Sequence, residues 1–180
     1  MTLMTFVTRT CGRPHMLLKN IDSLLMQTDK DWEQVILIDD DKRGMRFAQQ
    51  MLIHNKSRVR GEYVYVFDDD HRLITPDFVS GIRTIVAASK PDVIMVKCKV
   101  RGHGVLPRPW MGNGGYLKGA HVDTGCFVVE GKVWGNYVYA FDYPDTGDWH
   151  FYDKLWRSDD NLEIVWWDKL VAEDMREFVE

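Results

Sequence analysis

The sequence predicts one α/β domain in which a mostly parallel central sheet is flanked by helices. Three observations predict it. Short apolar runs alternate with amphipathic helical patterns through the first hundred residues, the order that builds a parallel sheet layered with helices. The runs "QVILID" (34–39) and "EYVYVF" (62–67) are apolar almost throughout, as strands covered on both faces are. Both then stop at aspartate triplets, 39–41 and 68–70, at strand ends, where open α/β sheets bind ligands.

The elements follow in order. "LMTFVT" (3–8) reads as the first strand. "HMLLKNIDSLLMQT" repeats Met16, Leu17, Ile21, Leu24 and Leu25 at helical spacing. "QVILID" is the second strand, a helix spans about 44–54, and "EYVYVF" is the third strand. "TPDF" (75–78) predicts a helix start with Thr75 as cap, Pro76 at the first helical position and Asp77 favouring the positive end of the dipole. That helix should reach about Ser89, before a strand over "PDVIMVKCKV". The second half is less regular. "RGHGVLPRPWMGNGGYLKG" (101–119) is crowded with Gly and Pro and is expected to be a functional loop. Trp110 and Tyr116 in it are a candidate sugar platform or part of the core. "HVDTGCFVVEG" reads as a strand, "DWHFYDKLWR" as a short helix, "LEIVWW" as a last strand, and the acidic tail as a surface helix.

With 180 residues, 45% hydrophobic content and a net charge of -4, the chain suits one domain, residues 1–180, and is no polycation. Cys11, Cys98 and Cys126 form no Cys-x-x-Cys pair, so free thiols in a reducing compartment are expected. The N-terminal "MTLMTFVTRTCGRP" lacks a signal-peptide pattern. No apolar run approaches the ~18 residues of a membrane span, so a cytoplasmic protein without one is expected.

"TRT" after the first strand and the two Asp triplets should open onto one sheet edge. Six carboxylates there repel unless a cation neutralises them, and the oxygen donors of Asp68, Asp69 and Asp70 suit Mg²⁺ or Mn²⁺. Phosphate oxygens of a nucleoside diphosphate would complete such an ion's shell. The other reading is that the acids cap following helices or face water.

At these residues the chain resembles the family 2 glycosyltransferases of the GT-A (Rossmann-like) fold, the family of the spore-coat enzyme known from Bacillus. "SLLMQTDKDWEQVILIDDD" and "GEYVYVFDDDHRLITPDF" carry the likeness most specifically, with "HVDTGCFVV" and "GDWHFYDKLWR" as weaker parts. The resemblance implies a nucleotide-binding half (1–100) and an acceptor half (101–180). It implies a nucleotide-sugar donor, a UDP-sugar, with Mn²⁺ or Mg²⁺, transferred with inversion. By the same resemblance Thr8, Arg9 and Thr10 contact the nucleotide and Asp40 accepts a hydrogen bond from the base. Asp69 lies near the ribose and phosphates, Asp70 and Asp68 hold the metal, and Asp148 is the general base. Asp148 has a plainer reading as a residue favouring a helix dipole, and His71 and His150 read as surface or supporting residues. Where the family often has Tyr-Asn after the first strand, this chain has Thr10 and Cys11. Its shorter C-terminal half implies a reduced acceptor site or one completed by a partner.

Lys42, Arg43, Arg46, Lys56, Arg58 and Arg60 fall in a segment without acids. They suit a solvated helix face, donor phosphates, or a polyanionic acceptor such as nucleic acid. A nucleotidyltransferase would need a Gly-rich phosphate turn that "TRTCGRPH" lacks. A non-catalytic receiver-like module would need its acid pair after the first strand.

Overall fold

The computed structural model describes residues 2–108, 121–143 and 146–176. Its strands are β1 (Met4–Thr10), β2 (Trp32–Ile38), β3 (Tyr63–Val66), β4 (His71–Leu73), β5 (Val93–Val100), β6 (Gly104–Leu106), β7 (Phe127–Glu130) and β8 (Ile164–Asp174). The helices are α1 (Pro14–Leu25), α2 (Met45–His54), α3 (Phe78–Ser89), α4 (Gly131–Tyr137) and α5 (Gly147–Trp156). All eight strands join one sheet in the order β2-β1-β3-β7-β5-β8-β4, with β6 on β5.

The α/β class is as the sequence predicts, but the sheet is mixed rather than mostly parallel. β1 pairs parallel with β2 and β3, and β5 with β8. The β3–β7, β5–β7, β4–β8 and β5–β6 pairings are antiparallel. The cause is β7, a later segment that inserts between β3 and β5 and separates two strands the sequence order suggests are neighbours. The consequence for function is favourable all the same: β1, β2 and β3 are mutually parallel, so "TRT" and both Asp triplets leave the sheet at one edge.

Two apolar layers hold the sheet. Phe6, Tyr65, Phe67 and Phe78 meet on one face with ring centroids 5.3–6.2 Å apart. Tyr65 lies directly opposite Val128, so Phe127 points to the other face, where it stacks on Phe151 beside Phe141 and Trp134. Every residue of β3 is buried, which explains its uninterrupted apolar run.

Three sequence expectations are corrected here. The α3 helix starts at Phe78 with Asp77 as N-cap, two residues later than a Thr75 cap requires. Its cap comes from a distant residue: Gln27 Oε1 accepts from the Val79 N–H at 3.3 Å, and Gln27 Nε2 donates to Thr75 O at 2.9 Å. Thr28 N–H donates to Pro76 O at 2.8 Å, so the "SLLMQT" stretch anchors the segment ahead of α3. Second, the acidic end through Asp174 belongs to β8, not to a surface helix, because Cys98 and Lys99 of β5 pair with Ala172 and Glu173. Third, "HVDTGCFVVEG" becomes a strand only at Phe127, after a 3-10 turn over Thr124–Cys126. Trp110 and Tyr116 lie outside the described residues. Among the described residues no helix is long and apolar enough to cross a membrane.

Candidate functional site

A cleft of about 330 Å³ opens at the edge where β1 and β3 end. The chain reaches it from β3 through Phe67 and the turn Asp68-Asp69-Asp70. That turn is held from below by Asn20 of α1, a fully buried residue. Asn20 Nδ2 donates to Asp68 O at 3.0 Å and His71 O at 2.9 Å, while its Oδ1 accepts from Gln34 Nε2 at 2.9 Å. Replacing Asn20 with alanine strands these buried carbonyls, at about 1–3 kcal/mol for each unsatisfied group. The expected result is a loss of roughly 2–4 kcal/mol in denaturant unfolding, and an unchanged midpoint would remove Asn20 from this role.

The protein's own cations lie against these carboxylates. Arg9 grips Asp68 with two parallel hydrogen bonds, Nε to Oδ1 at 2.7 Å and Nη2 to Oδ2 at 2.5 Å. Arg13 bridges Asp69 and Asp70, its Nη1 lying 3.0 Å from Asp70 Oδ2. Arg176 stands 3.6 Å from the same oxygen, and Arg43 binds Asp39 at 3.0 Å. His71 lies between Asp70, 3.1 Å from Nδ1, and Asp123, 3.2 Å from Nε2.

Burial alone would raise the Asp70 carboxyl, but His71, Arg13 and Arg176 hold it well below the usual carboxylate range. Burial likewise opposes charge on His71, yet the Asp123 carboxylate outweighs it and keeps the ring protonated. Asp69, fully buried, is pushed up chiefly by burial.

The residues expected from sequence divide as follows. Arg9, Thr10, Asp68, Asp70 and Asp148 all line the cleft. Thr8 does not: it lies two residues back from the end of β1, is fully buried, and its hydroxyl accepts from Gln34 Nε2 at 2.8 Å. Asp69 sits beneath the cleft floor, accepting from Thr10 Oγ1 at 2.6 Å. Asp40 is exposed and outside the cleft lining, whereas its neighbour Asp39 is 2% exposed and lines it. The turn after β2 directs the first acid of that triplet inward, where the Arg43 N–H donates to it at 2.7 Å.

Asp148 occupies the first turn of α5 and accepts from the Trp149 N–H at 2.8 Å. It is not merely a dipole residue. Burial pushes its carboxyl up to about 6, with the Asp123 charge adding and Arg9 opposing. Gly147 allows this placement, since a Cβ there would stand 2.7 Å from Phe141 O. A second hollow of about 540 Å³ meets the first at Asp123, Asp148 and Arg176.

Sequence reasoning missed Arg13, Asn20, Asp123, Thr124 and Arg176; of its two readings of His71, surface or supporting, the 3% exposure removes the first. "HVDTG" was the available signal for Asp123, a polar pair opening an apolar strand. The basic segment after β2 is partly used within the fold: Arg43 turns to Asp39 and lies 3.5 Å over the Phe47 ring, and Arg46 is 3.9 Å from Asp142.

No family model matches the sequence, and no curated protein matches it. Solved structures do share its fold. One is S. aureus TarS 1-349 in complex with UDP-GlcNAc, with a TM-score of 0.72 at 14% identity. The similarity covers 99% of this chain and 60% of that one, so the chain spans well under two thirds of TarS 1-349. A197 from STIV gives a TM-score of 0.66 at 15% identity, covering 97% of this chain and 86% of that one. The fold is therefore GT-A, with a mixed, curled sheet.

Proposed function

We propose that the chain is a glycosyltransferase that moves a sugar from a UDP-sugar to an acceptor hydroxyl with inversion, and that Asp148 takes the proton from that hydroxyl. One observation carries the reading: Asp148 stands where two hollows meet, one lined by the Asp68–Asp70 turn and one opening away from it. A base must touch the acceptor while facing the donor's anomeric carbon, and a group at such a junction does both. The structures of TarS, a glycosyltransferase of this fold, with UDP-GlcNAc and with UDP support the donor class.

In the donor hollow, Arg13 suits a diphosphate better than Arg9, its side chain being 37% exposed against 11%. Asp39, with Met45 and Ala48 as an apolar wall, suits a nucleobase edge. With a carboxyl near 6, Asp148 is ionised at neutral pH and still more basic than an ordinary aspartate. In-line attack from its side displaces the diphosphate from the opposite face of the sugar, which inverts the anomeric carbon.

The residues also fit Mn²⁺ or Mg²⁺. Carboxylate oxygens of Asp68 and Asp70 lie within 4.8 Å of each other, a donor pair these hard ions accept. Asp70 would be the principal holder once Arg13 turns outward. When bound, the ion supplies Lewis-acid stabilisation of the charge on the departing diphosphate.

The test is release of UDP from a panel of UDP-sugars with Mn²⁺ against a chelated control. Asp70→Asn is expected to weaken Mn²⁺-dependent UDP binding by at least about tenfold, one lost charge contact being worth roughly 1.5–3 kcal/mol. Unchanged calorimetric affinity would reject the metal assignment, and absence of turnover with any nucleotide-sugar would reject the activity.

A further inference from the structure

His71 of β4, Cys98 of β5 and Asp123 ahead of β7 bring a nitrogen, a sulfur and an oxygen within 4.8 Å of one another. We propose that these three residues bind a second, softer divalent cation of the zinc class, at a site distinct from the oxygen set of Asp68 and Asp70.

Geometry is the first support. His71 Nε2 and Asp123 Oδ1 are 3.2 Å apart, and the histidine is only 3% exposed. Two ligands about 2.0 Å from one tetrahedral ion stand roughly 3.3 Å apart, so the spacing suits shared coordination.

The surroundings add to this. Asp70 Oδ1 lies 3.1 Å from Nδ1, the place of the carboxylate that commonly takes the second nitrogen of a metal-bound histidine. Asp123 Oδ1 is oriented by the Gly125 N–H at 2.8 Å. Gly125 is required there, because a Cβ would come within 2.9 Å of Cys98 Sγ.

Ligand chemistry decides which ion. A thiolate with an imidazole selects zinc-class metals over Mg²⁺ and Mn²⁺. The ion with a thiolate and a neutral imidazole carries the same net charge as a protonated imidazole beside a thiol. Asp70 and Asp123 therefore keep their electrostatic balance. His71 and Asp123 both line the donor cleft, so the site would border it. Bound there, the ion ties β4 to β5 and fixes Asp123 beside Asp148.

Cobalt titration of the chelator-treated full chain tests this. One equivalent of Co²⁺ should produce a sulfur-to-cobalt band in the near ultraviolet together with the visible bands of a tetrahedral site, and Zn²⁺ should displace both. Cys98→Ser should abolish the sulfur band and His71→Gln should weaken binding by about 100-fold or more, the upper end of what even supporting residues contribute. Cys11→Ser and Asp68→Asn should keep the band, and the second separates this site from the sugar-transfer chemistry, so failure of one reading leaves the other intact. Should the cysteine variant not fold, wild-type protein in Zn²⁺ at a hundredfold excess over Kd should still gain about 5–10 °C in Tm, even in excess Mg²⁺. Absence of the sulfur band and of the Tm gain in wild type, or a band that survives Cys98→Ser, overturns the site.

Discussion

Replacing Asp148 with asparagine is expected to lower turnover by about 10²–10⁴-fold, the usual worth of a positioned general base, while UDP affinity stays within about twofold. The amide keeps the shape and the acceptor for the Trp149 N–H, so only proton removal is lost. The pH dependence follows from the same group. With its carboxyl near 6, wild-type kcat should rise tenfold per pH unit below about 6 and level off above it.

Stability moves in the opposite sense. A carboxyl at about 6 in the folded state, against 3.8 ordinarily, binds more protons folded than unfolded between those values, so stability falls as pH rises through that window. The full effect is of order 2–3 kcal/mol. Asp148→Asn should therefore raise Tm at pH 7.5 by several degrees while slowing turnover, and a lower Tm with turnover intact would refute both statements.

The second large effect is on folding. Arg9→Ala leaves Asp68 partly buried without its bidentate partner, and breaking such a pair on one side costs about 3–5 kcal/mol. In a chain of this size that lowers Tm by roughly 10–15 °C. The double variant Arg9→Met with Asp68→Leu should recover at least half of the loss, since apolar replacement of both partners is often neutral. No recovery in the double variant would show that Arg9 acts through contacts other than Asp68. Arg9 also opposes the rise at Asp148, so Arg9→Gln should move the pH midpoint of turnover above that of the wild type.

Much of the fold was legible because its signals are local. The buried run of β3, the helical spacing in α1 and the aspartates at strand ends each depend on residues near in sequence, and the structure has each of these elements, although Leu25 of α1 is 56% exposed and β2, at the sheet edge, is only partly covered. The start of α3 was misread because its cap comes from Gln27, about fifty positions away. The sheet was misread as mostly parallel because β7, which enters between β3 and β5, carries no mark of its partners.

The site divides along the same line. Residue types and strand order by themselves determined that Arg9, Thr10, Asp68 and Asp70 would share one edge, and the resemblance to glycosyltransferases added Asp148. Only the tertiary structure decided that Asp39 faces inward in place of Asp40, that Thr8 packs inside, and that Arg13, Arg176 and His71 neutralise the acids. A one-residue step along a strand or turn reverses which side a group faces, and an ion pair between distant segments exists only after the chain has closed. Sequence thus names the chemistry available at the sheet edge, and packing selects which of those groups meet.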